Sequence, residues 1–203
     1  MKKKIGVIFA CMLAAAMVAL TGCGSGDTTV TTAEFSAEEA AVANAITDVS
    51  ARFAMPADSV ATIRLRTYHK GVQQSESEVR NIISQEDNSA LYVSAVNGSG
   101  LDYTWTITVP GGRMTYPTPY YDVENGQSMI RIMDVGETEF DLNDGKEHML
   151  YYIAYKSGDD SSTISEKPFH EWSNQTDKEA ILKQYDCVYT VTIFQQTAEE
   201  AAE

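Results

Sequence analysis

Residues 101–110 read "LDYTWTITVP", and this stretch decides the fold class. Apolar and polar side chains alternate along it, so that one face carries Leu101, Tyr103, Trp105, Ile107 and Val109. A period of two is typical of a β-strand with one buried face, because successive side chains point to opposite faces. The run "ALYVSAV" precedes it, and the linker "NGSG" at 97–100 predicts a β-hairpin between the two.

Further strand-like runs occur on both sides of this hairpin. They are "ATIRLRTYH" at 61–69, "SMIRIMDV" at 128–135, "TEFDL" at 138–142, "EHMLYYIAY" at 147–155 and "CVYTVTIF" at 187–194. Asn143-Asp144-Gly145 separates the third from the fourth, and this turn chemistry predicts a second hairpin with a positive-φ residue.

Three segments carry helix signals. Ser36 and Glu39 have capping-box spacing, and an apolar stripe of Val42, Ile46, Val49 and Phe53 follows, which predicts a helix over 37–54. The same spacing at Ser75 and Glu78 leaves 75–85 open between helix and strand, since its β-branched residues also suit a strand. Thr176 and Glu179 repeat the spacing and predict a short helix over 177–184.

These elements predict an α+β, mostly β fold. We expect an antiparallel sheet or sandwich of about six to seven strands, with an N-terminal helix and a short C-terminal helix. No regular repeat or proline-rich linker divides the chain, so residues 36–196 are predicted to form a single globular domain. Residues 197–203 form an acidic tail.

The first 23 residues have their own pattern. Three lysines at 2–4 precede an uncharged apolar run at 5–20, which is short for a transmembrane helix. Leu20-Thr21-Gly22-Cys23 ends this segment and resembles the lipobox of bacterial lipoproteins. The resemblance implies that residues 1–22 are a cleaved signal peptide and that Cys23 becomes the lipidated N-terminus. The polar residues 23–35 are then predicted to be a flexible tether.

The lipobox resemblance also implies a location. The mature protein would be a lipoprotein held at the cell membrane, on its extracytoplasmic face, by acyl chains such as palmitate on Cys23. The alternative is an uncleaved N-terminal anchor in which the cysteine is incidental.

Charge and cysteine content narrow the function classes. The formal net charge is −14, and residues 1–22 hold three of the fifteen basic residues and no acid, which leaves −17. This balance argues against nucleic acid as a partner, because phosphate binding needs clustered Lys and Arg. Cys11 lies in the signal segment and Cys23 would carry the lipid, so Cys187 is expected to have no intramolecular disulfide partner. The alternating pattern around Cys187 predicts a buried, unreactive thiol.

No grouping typical of catalysis or metal binding is found. His69 and His148 are predicted to be ordinary polar residues near strand edges, and no nucleophile-elbow or zinc-protease motif occurs. The run "DLNDGKE" at 141–147 begins like a calcium loop but is one residue short, and a hairpin turn explains it better. We therefore predict no catalytic residue, no metal site and no cofactor.

Aromatic residues are the unusual feature of the composition. The chain has eleven tyrosines, and the stretch "GGRMTYPTPYYD" at 111–122 combines several of them with two prolines that stiffen it. Arg113, Tyr116, Tyr120 and Tyr121 are accordingly the candidate binding residues, suited to a protein or carbohydrate ligand. The alternative is that most of the rings pack inward, as tyrosine often does in sheets.

These observations predict a membrane-anchored ligand- or protein-binding module. One alternative is a cell-envelope hydrolase that uses two carboxylates at a fixed separation. The other is a passive accessory subunit of an envelope complex.

Overall fold

The computed structural model of the protein describes residues 28–86, 89–98, 101–109, 112–118, 129–157 and 169–195. Within these ranges the chain forms two antiparallel sheets and two α-helices, which confirms the α+β, mostly β class. The described part has eleven strands, more than the six or seven predicted. They are β1 (Thr29–Thr32), β2 (Val49–Met55), β3 (Ser59–His69), β4 (Val72–Ser84), β5 (Ser89–Asn97), β6 (Tyr103–Val109), β7 (Gly112–Pro117), β8 (Met129–Val135), β9 (Glu139–Asp141), β10 (His148–Ser157) and β11 (Cys187–Gln195), with helices α1 (Ala37–Ile46) and α2 (Lys178–Leu182).

The strands divide into a six-stranded and a five-stranded sheet. The first has the order β7-β6-β5-β2-β1-β9 and the second the order β4-β3-β11-β10-β8. The predicted hairpin over 90–110 is confirmed, since β5 pairs with β6 and Ala95 lies opposite Trp105. The second predicted hairpin is wrong: β9 pairs with β1, whereas β10 pairs with β8 and β11. The turn around Gly145, which has a φ of 74°, leads the chain from one sheet to the other.

The main hydrophobic core lies between the two sheets. The inward residues of the opening stretch behave as predicted, with Tyr103, Trp105 and Ile107 at most 1 % exposed. Trp105 packs edge-on against Tyr151 of the other sheet, with ring centroids 6.2 Å apart. The period-two pattern of β6 therefore arises because every second side chain of this strand packs into the core between the sheets.

A second apolar cluster covers the outer face of the five-stranded sheet. Segment 169–186, which contains α2, packs Phe169, Trp172 and Tyr185 against the outward side chains of β10 and β11, including Tyr152 and Val188. Both strands are consequently buried on both faces along most of their length. This explains why their sequences are continuous apolar runs.

The predicted helix over 37–54 is correct only in its first half. The Ser36–Glu39 capping box is present, but α1 ends at Ile46 and β2 begins at Val49. Val49 and Phe53 are buried as members of a strand, not of a helix stripe. Their spacing of four residues fits one helical turn and also two strand repeats, so the pattern did not distinguish the two.

The segment left open between helix and strand is a strand. Residues 75–84 belong to β4, and Ser75–Glu78 is not a cap. Glu78 lies opposite Arg64 of β3 and accepts a hydrogen bond of 2.5 Å from its Nε. The predicted C-terminal helix is confirmed as α2, although its N-cap is Asp177 and not Thr176.

The N-terminal strand lies inside the range predicted as tether. Residues 23–35 were expected to be flexible, but β1 pairs with both β2 and β9. Val30 of β1 is fully buried in the main core. The polar threonines that suggested a linker are partly exposed side chains of this strand.

Strand direction gives the sandwich two distinct ends. The start of β1 lies at the end that also holds the short β2–β3 turn, and we call this the Thr29 end. The register from β2 through β5 and β6 puts the last residue of β7 at the opposite end, the Pro117 end. The two ends are separated by about the length of the seven-residue β2, or roughly 23 Å.

Candidate functional site

Of the predicted binding residues, Arg113 and Tyr116 lie in the described structure. Both belong to β7, an edge strand of the six-stranded sheet. Their separation of three residues puts them on opposite faces of this strand. Arg113 is exposed, whereas Tyr116 is half-buried, lies opposite Trp105 and packs against the main core. The structure therefore does not bring these two side chains to one surface.

The other predicted site residues lie outside the described part. Tyr120 and Tyr121 follow β7 in the connection 118–128, and Cys23 precedes β1. The start of this connection is described, and Thr118 donates a backbone hydrogen bond of 2.8 Å to the Tyr103 carbonyl at the Pro117 end.

Several tyrosines elsewhere are structural, as the inward-packing alternative predicted. The Tyr103 and Tyr155 hydroxyls lie 2.5 Å apart in the main core, and Arg131 donates to Tyr103 over 3.3 Å. Burial raises the pKa of Tyr155, and the hydrogen bond to Tyr103 raises it further. Burial also raises the pKa of Tyr151 to about 12. The Tyr151 and Tyr155 hydroxyls therefore stay protonated at neutral pH, and both side chains are part of the main core.

A groove of about 410 Å³ runs between α1 and the outer face of the six-stranded sheet. The helix side carries Phe35, Val42 and Ile46, and the sheet side carries Tyr92 and Ser94. Ligand pockets usually measure about 300–1,000 Å³ and are mostly apolar, so this α1 groove has the size and lining of a binding site. The sequence pattern did not predict it, because the apolar stripe of the helix was expected to be buried.

A second concave surface lies at the Thr29 end. It is a cleft of about 780 Å³ between the end of β4 and the start of β7, lined by Arg80, Ile82, Val109 and Met114 among others. Both bordering strands are sheet edges. The exposed Arg113 is next to Met114 in β7 but on the other face of the strand, so it does not line this cleft.

A buried polar cluster, which we call the His148 cluster, joins side chains from separate parts of the chain. His148 is 2 % exposed, which corrects the prediction of an ordinary residue near a strand edge. Its Nδ1 lies 2.8 Å from Glu137 and its Nε2 lies 2.9 Å from Asp144. The ring stacks on Phe140 at 4.2 Å, and Ser173 donates to Glu137 from both its backbone N–H and its hydroxyl.

The electrostatics of the His148 cluster favour the charged forms. Burial by itself would lower the pKa of His148, but the hydrogen bonds to Glu137 and Asp144 outweigh it and the pKa is raised. Burial would raise the pKa of Glu137, but the bonds from His148 and Ser173 lower it. Below pH 6.5, the ordinary pKa of histidine, the cluster is thus an imidazolium between two carboxylates. Glu137 stands between the serine and the histidine, so the order is not that of a nucleophilic triad.

Cys187 and the acidic side chains are the other groups with possible chemistry. Cys187 is 1 % exposed, which confirms its predicted burial, and burial raises the pKa of its thiol to about 11. Among the described residues no group of three or more His, Cys, Asp or Glu side chains is arranged to hold a metal ion. A carboxylate hydrolase needs one acid with a raised pKa, whereas the pKa values of Glu39, Glu78, Glu137 and Asp144 are all lowered.

The chain has no counterpart in the three comparisons with known proteins. No family model, no curated protein and no solved structure matches it. In the part of the chain that the structure describes, no helix has the length and apolar character required to cross a membrane.

Proposed function

We propose that this protein is a lipid-anchored, extracytoplasmic binding module that holds its ligand on the side facing away from the membrane. The observation that carries the proposal is the separation of the two ends of the sandwich. Cys23 precedes Thr29 by six residues, which span at most about 20 Å. Lipid on Cys23 would therefore keep the Thr29 end near the bilayer.

The Pro117 end then faces away from the membrane. Two of the longest connections of the chain begin there, residues 118–128 after β7 and residues 158–168 after β10. Binding residues are often found on loops that a rigid scaffold positions. The candidate residues Tyr120 and Tyr121 belong to the first of these connections. This arrangement supports a binding role, and none of the described features favours the hydrolase or the passive subunit over it.

The lipid anchor can be tested by following the modification of the Cys23 sulfur atom. We expect the protein expressed in a bacterial host to fractionate with membranes, and mass spectrometry to find Cys23 as an acylated N-terminus. Cys23→Ser is expected to abolish both results, because the thiol is the attachment atom. The matched control is Cys187→Ala, which removes the buried thiol and should leave acylation unchanged. An intact Met1 or an unmodified Cys23 in the unsubstituted protein would overturn the anchor.

The binding loop is tested with its two tyrosines. We expect the double change Tyr120→Ala and Tyr121→Ala to weaken capture of envelope material by about tenfold without lowering Tm. Sacculi and detergent-solubilised envelope proteins are offered in separate arms. The matched control is Tyr116→Ala, which should lower Tm because Tyr116 packs against the core. If the double variant lowers Tm as much as Tyr116→Ala does, the rings are structural and the loop is not the site.

A further inference from the structure

Helix α1 is fixed to the sandwich by polar contacts. The Glu39 carboxylate accepts a 2.6 Å hydrogen bond from the Tyr92 hydroxyl and a 2.7 Å bond from the Ser36 backbone N–H. Arg52 approaches the same carboxylate at 3.9 Å. The helix is therefore held in place at its first turn.

The apolar side chains of α1 are left exposed in this arrangement. No residue of the helix is buried, and Val42 and Ile46 are 61 % and 65 % exposed. A surface helix normally turns such residues toward the core. Here they border the α1 groove, together with Phe35 and Ala43. The groove is a preformed apolar surface without a covering element in the described residues.

The charged side chains that line the α1 groove are acidic, and the cation Arg52 lies beside one of them. Glu38 and Glu39 line it, Glu34 and Asp48 lie just beyond the two ends of the helix, and residues 27–51 contain no Lys, Arg or His. The hydrogen bond from Tyr92 and the cap bonds from Ser36 lower the pKa of Glu39 to about 2, so it is ionised at neutral pH. The nearby cation is Arg52, which bonds to the Glu34 carbonyl and approaches Glu39.

We propose that the α1 groove binds a positively charged amphipathic segment of a partner protein. The apolar face of that segment would contact Val42 and Ile46, and its Lys or Arg side chains would pair with Glu38. An amphipathic segment laid in an apolar groove is a recurring mode of peptide recognition. The proposal goes beyond the binding role proposed above, because the groove is a separate surface that depends neither on the lipid at Cys23 nor on Tyr120 and Tyr121.

Charge disfavours two other occupants of the groove. A second copy of this chain would bring two acidic rims together, and like charges across an interface are costly. An anionic lipid surface would meet the same repulsion. A cationic segment gains from both the apolar lining and the rim.

The test uses two synthetic peptides of about 18 residues, one of Leu and Lys and one of Leu and Glu, with Leu at helical spacing. The protein is the chain from Gly24 to Glu203, because both cores and every described strand pair lie within it. We expect the Leu/Lys peptide to bind and the Leu/Glu peptide not to bind. Val42→Asp should weaken binding of the Leu/Lys peptide by at least about tenfold. Glu38→Gln should weaken binding modestly and reduce its salt dependence.

The matched control is Val72→Asp, which adds the same charge at a valine of β4 that is 60 % exposed. It should leave binding unchanged. If Val42→Asp fails to fold, Ile46→Asp is used instead. In addition, hydrogen exchange on the unsubstituted chain should show that the Leu/Lys peptide protects residues 37–46. The proposal is overturned if both peptides bind equally, if Val42→Asp and Val72→Asp have equal effects, or if residues 37–46 are not protected. It is also overturned if the protein forms a dimer that Val42→Asp dissociates, because a second copy would then occupy the groove. Failure of acylation at Cys23 would leave all of these results unaffected.

Discussion

Replacing His148 with alanine is expected to lower the free energy of unfolding by about 3–5 kcal/mol near pH 6. The change removes the cation that faces Glu137 and Asp144, and it leaves the 7 %-exposed Glu137 with its charge uncompensated. It also removes the ring that stacks on Phe140. Urea denaturation followed by tryptophan fluorescence measures the loss, since Trp172 adjoins Ser173 of the same cluster.

The His148 cluster also predicts how stability depends on pH. The pKa of His148 is raised in the folded state, so its contribution is complete below its ordinary value of about 6.5 and is lost as the pH rises through the folded value. The pKa values of Glu137 and Asp144 are lowered, so their contributions are complete above about 4.5 and are lost as the pH falls. The contribution of the cluster is therefore largest between about pH 4.5 and 6.5, and the gap between the parent and His148→Ala should narrow outside this window.

The matched control for this prediction is His170→Ala. His170 is more exposed, and its Nε2 lies 3.4 Å from Asp134, which is half exposed. Surface pairs of this kind contribute at most about 1 kcal/mol, so the control should have a small effect. If the two histidine variants are equally stable, or if the gap for His148→Ala does not change with pH, the cluster is not the ion-paired unit described here.

The strands could be predicted because buried side chains alternate with exposed ones along a strand. Tyr103, Trp105 and Ile107 alternate with threonines, and each of them lies in the core as the pattern indicated. The two-sheet arrangement could not be predicted in the same way. Phe140 continues the alternation on one side of the Asn143–Gly145 turn and His148 does so on the other, yet their strands belong to different sheets. Local sequence sets which face is buried, but not which strand is the neighbour.

The candidate sites were harder to predict because they depend on tertiary contacts. The His148 cluster joins Glu137, Asp144 and Ser173 from three separate connections, and only Asp144 is near His148 in sequence. The sequence predicts the turn that contains Asp144, but nothing local indicates that its carboxylate meets a buried imidazole. The sequence does not predict the α1 groove, because its apolar pattern indicates a buried helix face. Val42 and Ile46 have the spacing of buried residues, whereas polar contacts at Glu39 hold the helix with these side chains exposed.

Replacing Gly136 with alanine is expected to lower the free energy of unfolding by about 3 kcal/mol, the upper part of the usual range for overpacking. A Cβ atom at this buried position would lie 2.3 Å from Met149 Cγ and 2.5 Å from the Met149 carbonyl oxygen. That oxygen accepts the 2.7 Å backbone hydrogen bond of Glu137, so relief of the clash must displace the first residue of the His148 cluster. Chemical denaturation measures the loss, and a reduced pH dependence of stability would accompany it.

The control variant Gly145→Ala shows whether the loss of stability in Gly136→Ala comes from steric crowding or from backbone conformation. Gly145 has a φ of +74°, which costs an alanine about 1–2 kcal/mol, but no atom lies within 4 Å of the added Cβ. At Gly136 the added Cβ would clash with Met149, whereas the φ of Gly136 lies outside the left-handed region. Gly136→Ala should therefore be the more damaging of the two, and it should alter the pH profile because it pushes on Glu137. A larger loss for Gly145→Ala, or an unchanged profile for Gly136→Ala, would mean that the Gly136–Met149 contact does not hold Glu137 in place.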